Sequence, residues 1–441
     1  MNSPTLTGNR TKSDLLPSRL VESYLANIAR RNSALNAYIH VDGQGALERG
    51  HQLDHGLRSE ASPGEILGAP LAIKDIIDVA GQPTTAASNI LRDNAASKDA
   101  AVILRLRQAG AVFLGKTNLH EFAYGGSGVI SSFGPVRNPW DPSRITGGSS
   151  SGSAAAVAAG MCIAAIGTDT AGSIRLPASF CGIVGFKPTY GRVSIDGVIP
   201  LSVSYDHVGP MTQNVADARL LFQVLTGETA PSRPAGPLRI GIAESFFYRD
   251  LDSEVGAVLS SVQQSLEKAG HKLVPVDFPV DEDRTLAAFE SYNYHAKWVE
   301  RSPELYQPAT LRRIKAGENI TREDAADAAA KLKSMRDSAA EIFTGIDILL
   351  TPTVPVLPPS IDELLADLDE LRRRELLMLR NTRPFNVLGV PAISIPWTLS
   401  QKGLPIGIQL AAAPAKDFEL LDIAQEFERL SPWQGRTPLG Y

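Results

Sequence analysis

Three short segments carry side chains able to perform acyl-transfer chemistry. The first is AIKDII, a lysine (Lys74) inside an apolar run. An unpaired ammonium is costly there, so Lys74 either pairs with Asp75 or Asp78, or gives up its proton and serves as a base. The second is GGSSSGS from Gly147. Serines in such a loop ordinarily cap a helix N-terminus, and one becomes a nucleophile only where a base takes its proton. The third is GTDTAGSIRLP, Gly167 to Pro177, where small residues beside Ser173 let backbone N–H groups converge on a developing oxyanion. A candidate base, two candidate serines and a candidate oxyanion hole are the parts needed to attack a carbonyl.

Other motifs fail on their context. GAVFLGKT, Gly110 to Thr117, matches the phosphate-loop pattern, but a helix precedes it and AVFL reads as an apolar strand rather than an exposed backbone cradle. GSSSG, Gly148 to Gly152, fits G-x-S-x-G with Ser150 at its centre. The preceding NPWDPSRIT is too rich in Pro and polar residues to be the required strand, and a later His207, His271 or His295 would have to complete the site. An α/β-hydrolase esterase is therefore a weak alternative. His51 and His55, with Asp54 between them, lack a third ligand and read as a solvated helix face, so no metal or other cofactor is expected.

These residues need a framework to hold them. The chain has 441 residues, 43% of them hydrophobic, enough to bury a large core, and its formal charge of −5 leaves no basic surplus for nucleic acid or an anionic membrane. Cys162 and Cys181 are its only cysteines and form no C-x-x-C pair. The N-terminal stretch MNSPTLTGNRTKSDLLPSRLVES has no apolar core of a leader, and no run of eighteen apolar residues occurs, so a cytoplasmic location is the expectation. Helical spacing predicts helices from Pro17 to Asn32 and from Gly45 to Leu57. A strand is predicted around Lys74, a helix in DAAVILRLRQAG and a strand in AVFLGKT. The Gly/Ser/Ala-rich stretch from Gly125 to Gly191 contains a helix-like SGSAAAVAAG, a strand-like MCIAAIGTD and the apolar FCGIVGFKP, so it is no linker, and backbone must approach something closely there. LRIGIAE, DSEVGAVLSSVQQSLEKAG and HKLVPVDFPV form a β-α-β unit. Residues 284–344 read as helices, DILLTPT as a strand and DELLADLDELRRRELLMLR as helical. PAISIPWTL and LPIGIQLAA form a hairpin before a terminal helix.

GGSSSGSAAAVAAG followed by GTDTAGSIRLPASFCGIVGFKPTYGRVS resembles the signature region of the amidase signature family of serine hydrolases. APLAIKDIIDVAG is similar to its lysine segment, and GKTNLHEFAYG with FGPVRNPWDPSRITGGSS to the stretch between. The likeness is strongest from Gly68 to about Gly227 and continues more weakly through DILLTPT and NVLGVPAISIP to PIGIQL. It implies one large α/β domain over residues 1–441, a mixed twisted sheet sandwiched between helices, with a signature core at 68–227, a variable helical segment at 245–345 and a C-terminal part at 346–441. It also implies a Ser–cis-Ser–Lys triad of Ser173 as nucleophile, Ser149 as bridging serine and Lys74 as base. The intervals of 75 and 24 residues between them agree with the family pattern.

The resemblance further implies an oxyanion hole from the N–H groups of Thr170, Ala171, Gly172 and Ser173. Ala171 stands where the family usually has glycine, so the loop is strained if that position needs positive φ. Asp169 and Arg175 are expected to hold this loop, and Gly125 and Gly126 to let backbone approach the leaving-group side of a substrate. The family includes the glutaminase component of the glutamyl-tRNA amidotransferase. Because the chain looks short for that component, and 245–345 shows no match to its glutamine-site segment, the expectation is instead a stand-alone amidase, monomeric or homodimeric. Its substrates would be small uncharged amides, aryl amides first and carbamates as an extension. Phe246, Phe247, Tyr248, Tyr292, Tyr294 and Trp298 are candidates for an apolar acyl or aryl pocket, though such residues more often pack a core.

Overall fold

The apolar runs of the sequence become the strands of one mixed sheet. The computed structural model describes residues 5–7, 16–57, 64–233, 236–433 and 436–438, so most of the N-terminal stretch discussed above lies outside the described residues. Eleven strands form the sheet: β1 (Tyr38–Val41), β2 (Pro70–Lys74), β3 (Val112–Thr117), β4 (Ala164–Thr168), β5 (Val184–Lys187), β6 (Val208–Thr212), β7 (Arg239–Ile242), β8 (Lys272–Pro275), β9 (Ile348–Pro352), β10 (Ala392–Leu399) and β11 (Pro405–Ala411). Their order across the sheet is β1-β3-β2-β4-β6-β5-β10-β11-β9-β7-β8. Every residue of β2, β3 and β4 is buried. A strand covered by helices on both faces has no solvent side, and this is why these segments read as continuous apolar runs instead of alternating ones.

Pairing in the sheet sets the site. β2 and β4 run parallel, with Leu71 opposite Ala164 and Ile73 opposite Ile166. Lys74 and Thr168, the last residues of the two strands, therefore emerge side by side at the same edge. Between them in sequence lies the helix Ser151–Ala158, every residue of which is buried. A Cβ at Gly152 would stand 2.2 Å from the Ala37 carbonyl oxygen and 2.6 Å from that of Asn118. Close approach of backbone explains the small residues of this stretch. β10 pairs antiparallel with both β11 and β5, joining the C-terminal hairpin to the strand that follows the Ser173 segment.

Elements not assigned from sequence include β1, β6, the helices Arg175–Cys181, Val215–Thr226, Glu244–Phe247 and Arg383–Val387, and the small two-stranded sheet of Arg137–Asn138 and Asp141–Ile145, the latter a strand within the stretch NPWDPSRIT that reads as too polar for one. β6 is VGPMT, in which glycine and proline together read as a loop. The glycine is needed because a Cβ on Gly209 would meet the Phe186 carbonyl at 2.1 Å. The phosphate-loop match is β3 itself: Lys116 is fully buried and ion-paired with Asp75 at 3.1 Å, facing the interior. No helix among the described residues is long and apolar enough to cross a membrane.

Candidate active site

Lys74, at the end of β2, is 0% exposed and donates to Ser149 Oγ and to Thr168 Oγ1, both at 2.7 Å. Asp75 turns away to Lys116, so Lys74 has hydroxyls and no carboxylate in contact. Burial disfavours the charged ammonium and lowers its pKa to about 7, although Asp169 and Asp206 push in the opposite direction. A lysine is thus partly neutral near pH 7.

Ser149 follows a cis peptide from Gly148 and is also 0% exposed. Its carbonyl accepts from His120 N at 3.2 Å, and Gly148 N donates to the Gly126 carbonyl at 2.7 Å. The serine loop is thereby fastened to the 120–126 segment. Ser150 is occupied differently. Its Oγ donates to the Thr168 carbonyl at 3.1 Å and its N–H to the Ser173 carbonyl at 3.1 Å. It sits inside the structure as a tie between segments, and the esterase alternative centred on Ser150 loses its nucleophile.

The 169–175 loop is held by one carboxylate. Asp169 accepts from Gly172 N at 2.7 Å and Ile174 N at 3.1 Å, and its Oδ1 lies 2.9 Å from Arg175 Nη2. Burial alone would raise its pKa, but the Arg175 guanidinium and the Asn386 amide hold the carboxyl well below the usual range. Arg175 is fully buried and also donates to the Thr382 carbonyl, Gln409 and Asn386. This corrects the expectation of four oxyanion donors. The Gly172 N–H is spent on Asp169 Oδ1, whereas the N–H groups of Thr170, Ala171 and Ser173 have no acceptor among the described residues. Ala171 needs no positive φ; Gly172 does, at 133°. The alanine is accommodated because its neighbour takes the unusual conformation.

Ser173 lines a cavity of about 300 Å³, with Tyr124, Gly125, Thr170 and Ala171 beside it. Gly125 is confined by the His120 ring, 2.2 Å from where a Cβ would be. Gly126 lies behind the wall and contributes a backbone carbonyl to the serine loop. To the same cavity the 284–316 and 372–383 segments supply Arg284, Arg312, Arg313, Arg372 and Arg383, with Ala287, Ala288 and Ala316. Buried Glu375 anchors this wall: it pairs with Arg313 at 2.6 Å and accepts from Ser127 Oγ at 2.6 Å.

The aromatic residues of the cavity are Tyr124 and Tyr205, not the six candidates read from sequence. Phe247 packs with Phe278 and Phe385, Tyr248 donates to the Leu350 carbonyl, and Tyr294 and Trp298 pack around His295; none of the six aromatic candidates lines the cavity. The arginines were missed because RRIK and LRRRE read as ordinary solvated helix faces. Among the described residues, no group of three metal-binding side chains occurs, and His51 instead lies 3.8 Å from Asp54, which accepts from Ser18.

The amidase family model matches residues 19–421. This chain belongs to the amidase family. Among relatives, a glutamyl-tRNA(Gln) amidotransferase component of Prochlorococcus marinus (strain MIT 9303) is 38% identical over 96% of this chain and 95% of its own length. A crystal structure of an amidase superposes with a TM-score of 0.87 at 34% identity, covering 95% of this chain and 96% of that one. The crystal structure of the corresponding glutamyl-tRNA(Gln) amidotransferase component from Thermotoga maritima gives 0.76 at 33% identity, covering 96% and 94%. The family brings hydrolysis of C–N bonds. The expectation of a stand-alone enzyme for small uncharged amides is overturned. Chains named as this amidotransferase component match at 33–38% identity over nearly the full length.

Proposed function

We propose that this chain is the amide-cleaving component of an amidotransferase-type assembly, releasing ammonia from a small carboxamide that also carries a carboxylate, with glutamine the first such amide to test. The observation that carries this reading is the near full-length likeness to the amidotransferase chains, at up to 38% identity. The assembly with partner subunits replaces the expected monomer or homodimer.

The chemistry follows from the side chains present. Neutral Lys74 takes a proton from Ser149 Oγ, 2.7 Å away, as Ser149 takes one from Ser173 Oγ. Ser173 Oγ forms a bond to the amide carbon, and the N–H groups of Thr170, Ala171 and Ser173 receive the oxyanion, each such donor lowering the barrier by about 3 kcal/mol in comparable sites. Collapse of the adduct breaks the C–N bond, and the relay returns the proton to the leaving nitrogen, which departs as ammonia past Gly125. Water, deprotonated by the same relay, then hydrolyses the ester on Ser173. The arginine wall holds the substrate carboxylate. Asp169 and Arg175 position the donor loop without touching substrate.

The test is ammonia release from glutamine and from glutaramate by the chain, alone and with amidotransferase partner subunits, beside a Ser173→Ala variant. Ammonia formed with one equivalent of the acid, and lost by about 10³-fold or more in the variant, is the expected result. No release from either carboxamide under any of these conditions overturns the reading.

A further inference from the structure

We infer that the cavity beside Ser173 selects carboxamides that bear a carboxylate and no ammonium, so that an amide such as glutaramate is a better substrate than the zwitterion glutamine. The inference rests on the reading of the chain as a carboxamide hydrolase and narrows its substrate class.

Five guanidiniums line the cavity, and not one Asp or Glu does. Three of the five already have acceptors in the protein. Arg313 pairs with Glu375 and donates to the Tyr124 carbonyl, Arg312 pairs with Asp369 at 2.7 Å, and Arg383 donates to the carbonyls of Asp281 and Asp283. The guanidiniums of Arg284 and Arg372 have neither a hydrogen bond nor an ion pair among the described residues. Glu282 and Glu375 are the acidic groups whose charge they feel, but neither carboxylate lines the cavity, and Glu375 is committed to Arg313 and Ser127. Arg284 stands at the exposed rim of the cavity, where partial desolvation lowers its pKa to about 10, with Arg383 and Arg372 adding to the effect.

Two forked donors that line one cavity without a protein acceptor offer a carboxylate site, because the guanidinium plane matches the two oxygens of a carboxylate. An α-ammonium on the substrate meets the opposite situation. It needs an anionic acceptor, and the nearby buried carboxyl, Asp206, is already engaged by Thr170 Oγ1 and by the N–H groups of Leu201 and Ser202. A cation placed among guanidiniums is repelled, and that repulsion discriminates between ligands of the same length.

Three amides of equal chain length separate the contributions: glutaramate, glutamine and the neutral diamide glutaramide. With the full chain, and with partner subunits if turnover requires them, kcat/KM for glutaramate is expected to exceed that for glutamine and for glutaramide by about 10-fold or more. Arg284→Gln and Arg372→Gln are each expected to raise KM for glutaramate more than for glutaramide. Calorimetric binding to the Ser173→Ala protein reads the same selectivity without turnover. Glutaramate bound and glutamine not bound supports the inference even where no carboxamide is turned over, an outcome that would overturn only the ammonia-release reading. Glutamine bound as tightly as glutaramate, or neither bound, overturns the inference whatever the turnover.

Discussion

Lys74 and Asp206 face the same chemistry from opposite sides of the charge scale. Burial lowers the Lys74 pKa to about 7 and raises that of Asp206 to about 7. The lysine must be neutral to accept a proton, so kcat/KM is expected to rise with pH through about 7 and level off above it, the apparent value belonging to the interacting pair. An ionised Asp206 favours the ammonium of Lys74. Asp206→Asn removes that charge while keeping an acceptor for Thr170, and it should shift the acid limb to lower pH by up to about one unit. A pH–rate profile of the variant decides it: a limb that stays fixed, or moves to higher pH, excludes the coupling. Lys74 is also where the sequence was most informative. A lysine in an apolar run is anomalous on energetic grounds, and the two outcomes considered for it were pairing with Asp75 or Asp78 and loss of its proton. Lys116 takes Asp75 and leaves Lys74 with hydroxyls.

At the scale of elements, the 169–175 loop is clamped between β4 and the short helix Arg383–Val387, with Asn386 reaching back to Asp169 and Thr382 Oγ1 donating to the Ala171 carbonyl at 2.7 Å. Gly172 is the tight point. Its φ is 133°, and a Cβ there would stand 2.0 Å from Thr382 Oγ1. Gly172→Ala should therefore cost about 1–3 kcal/mol of stability and, by displacing the flanking donors, lower kcat by about 10²-fold. Thermal unfolding and steady-state kinetics on one preparation check both parts; full activity in a stable variant would show that the loop has room to spare. Elements of this kind differ in how far sequence exposes them. β2, β3 and β4 were legible because burial on both faces makes them near-continuous apolar runs, broken only by Lys74, Lys116 and the threonines at their ends. β6 was not, since its Gly209 answers to the Phe186 carbonyl on a neighbouring strand and nothing local reports that contact. The arginine wall was hidden for a similar reason. In LRRRE, Arg373 and Arg374 pair with Glu370 on the outer face while Arg372 lines the cavity, a choice made by the rotation of a helix against partners distant in sequence.

For the molecule as a whole, the cavity gathers residues from 123–125, 170–173, 201–205, 284–316 and 372–383, which only the completed fold brings together. Its charge is opposite in sign to that of the chain, whose formal net charge is −5. An approaching anion is thus repelled weakly at long range and attracted strongly near Ser173, and salt acts on the two differently. Screening extends over about 10 Å at 0.1 M ionic strength, so the distant repulsion is already weak at ordinary salt while attraction at the guanidiniums is still being titrated away as salt rises. Raising KCl from about 0.02 M to 0.5 M should therefore raise KM for glutaramate several-fold, leave kcat nearly constant, and leave KM for glutaramide unmoved. A KM that falls with salt would mean that the net negative charge of the molecule, and not the local arginine field, governs capture of the substrate.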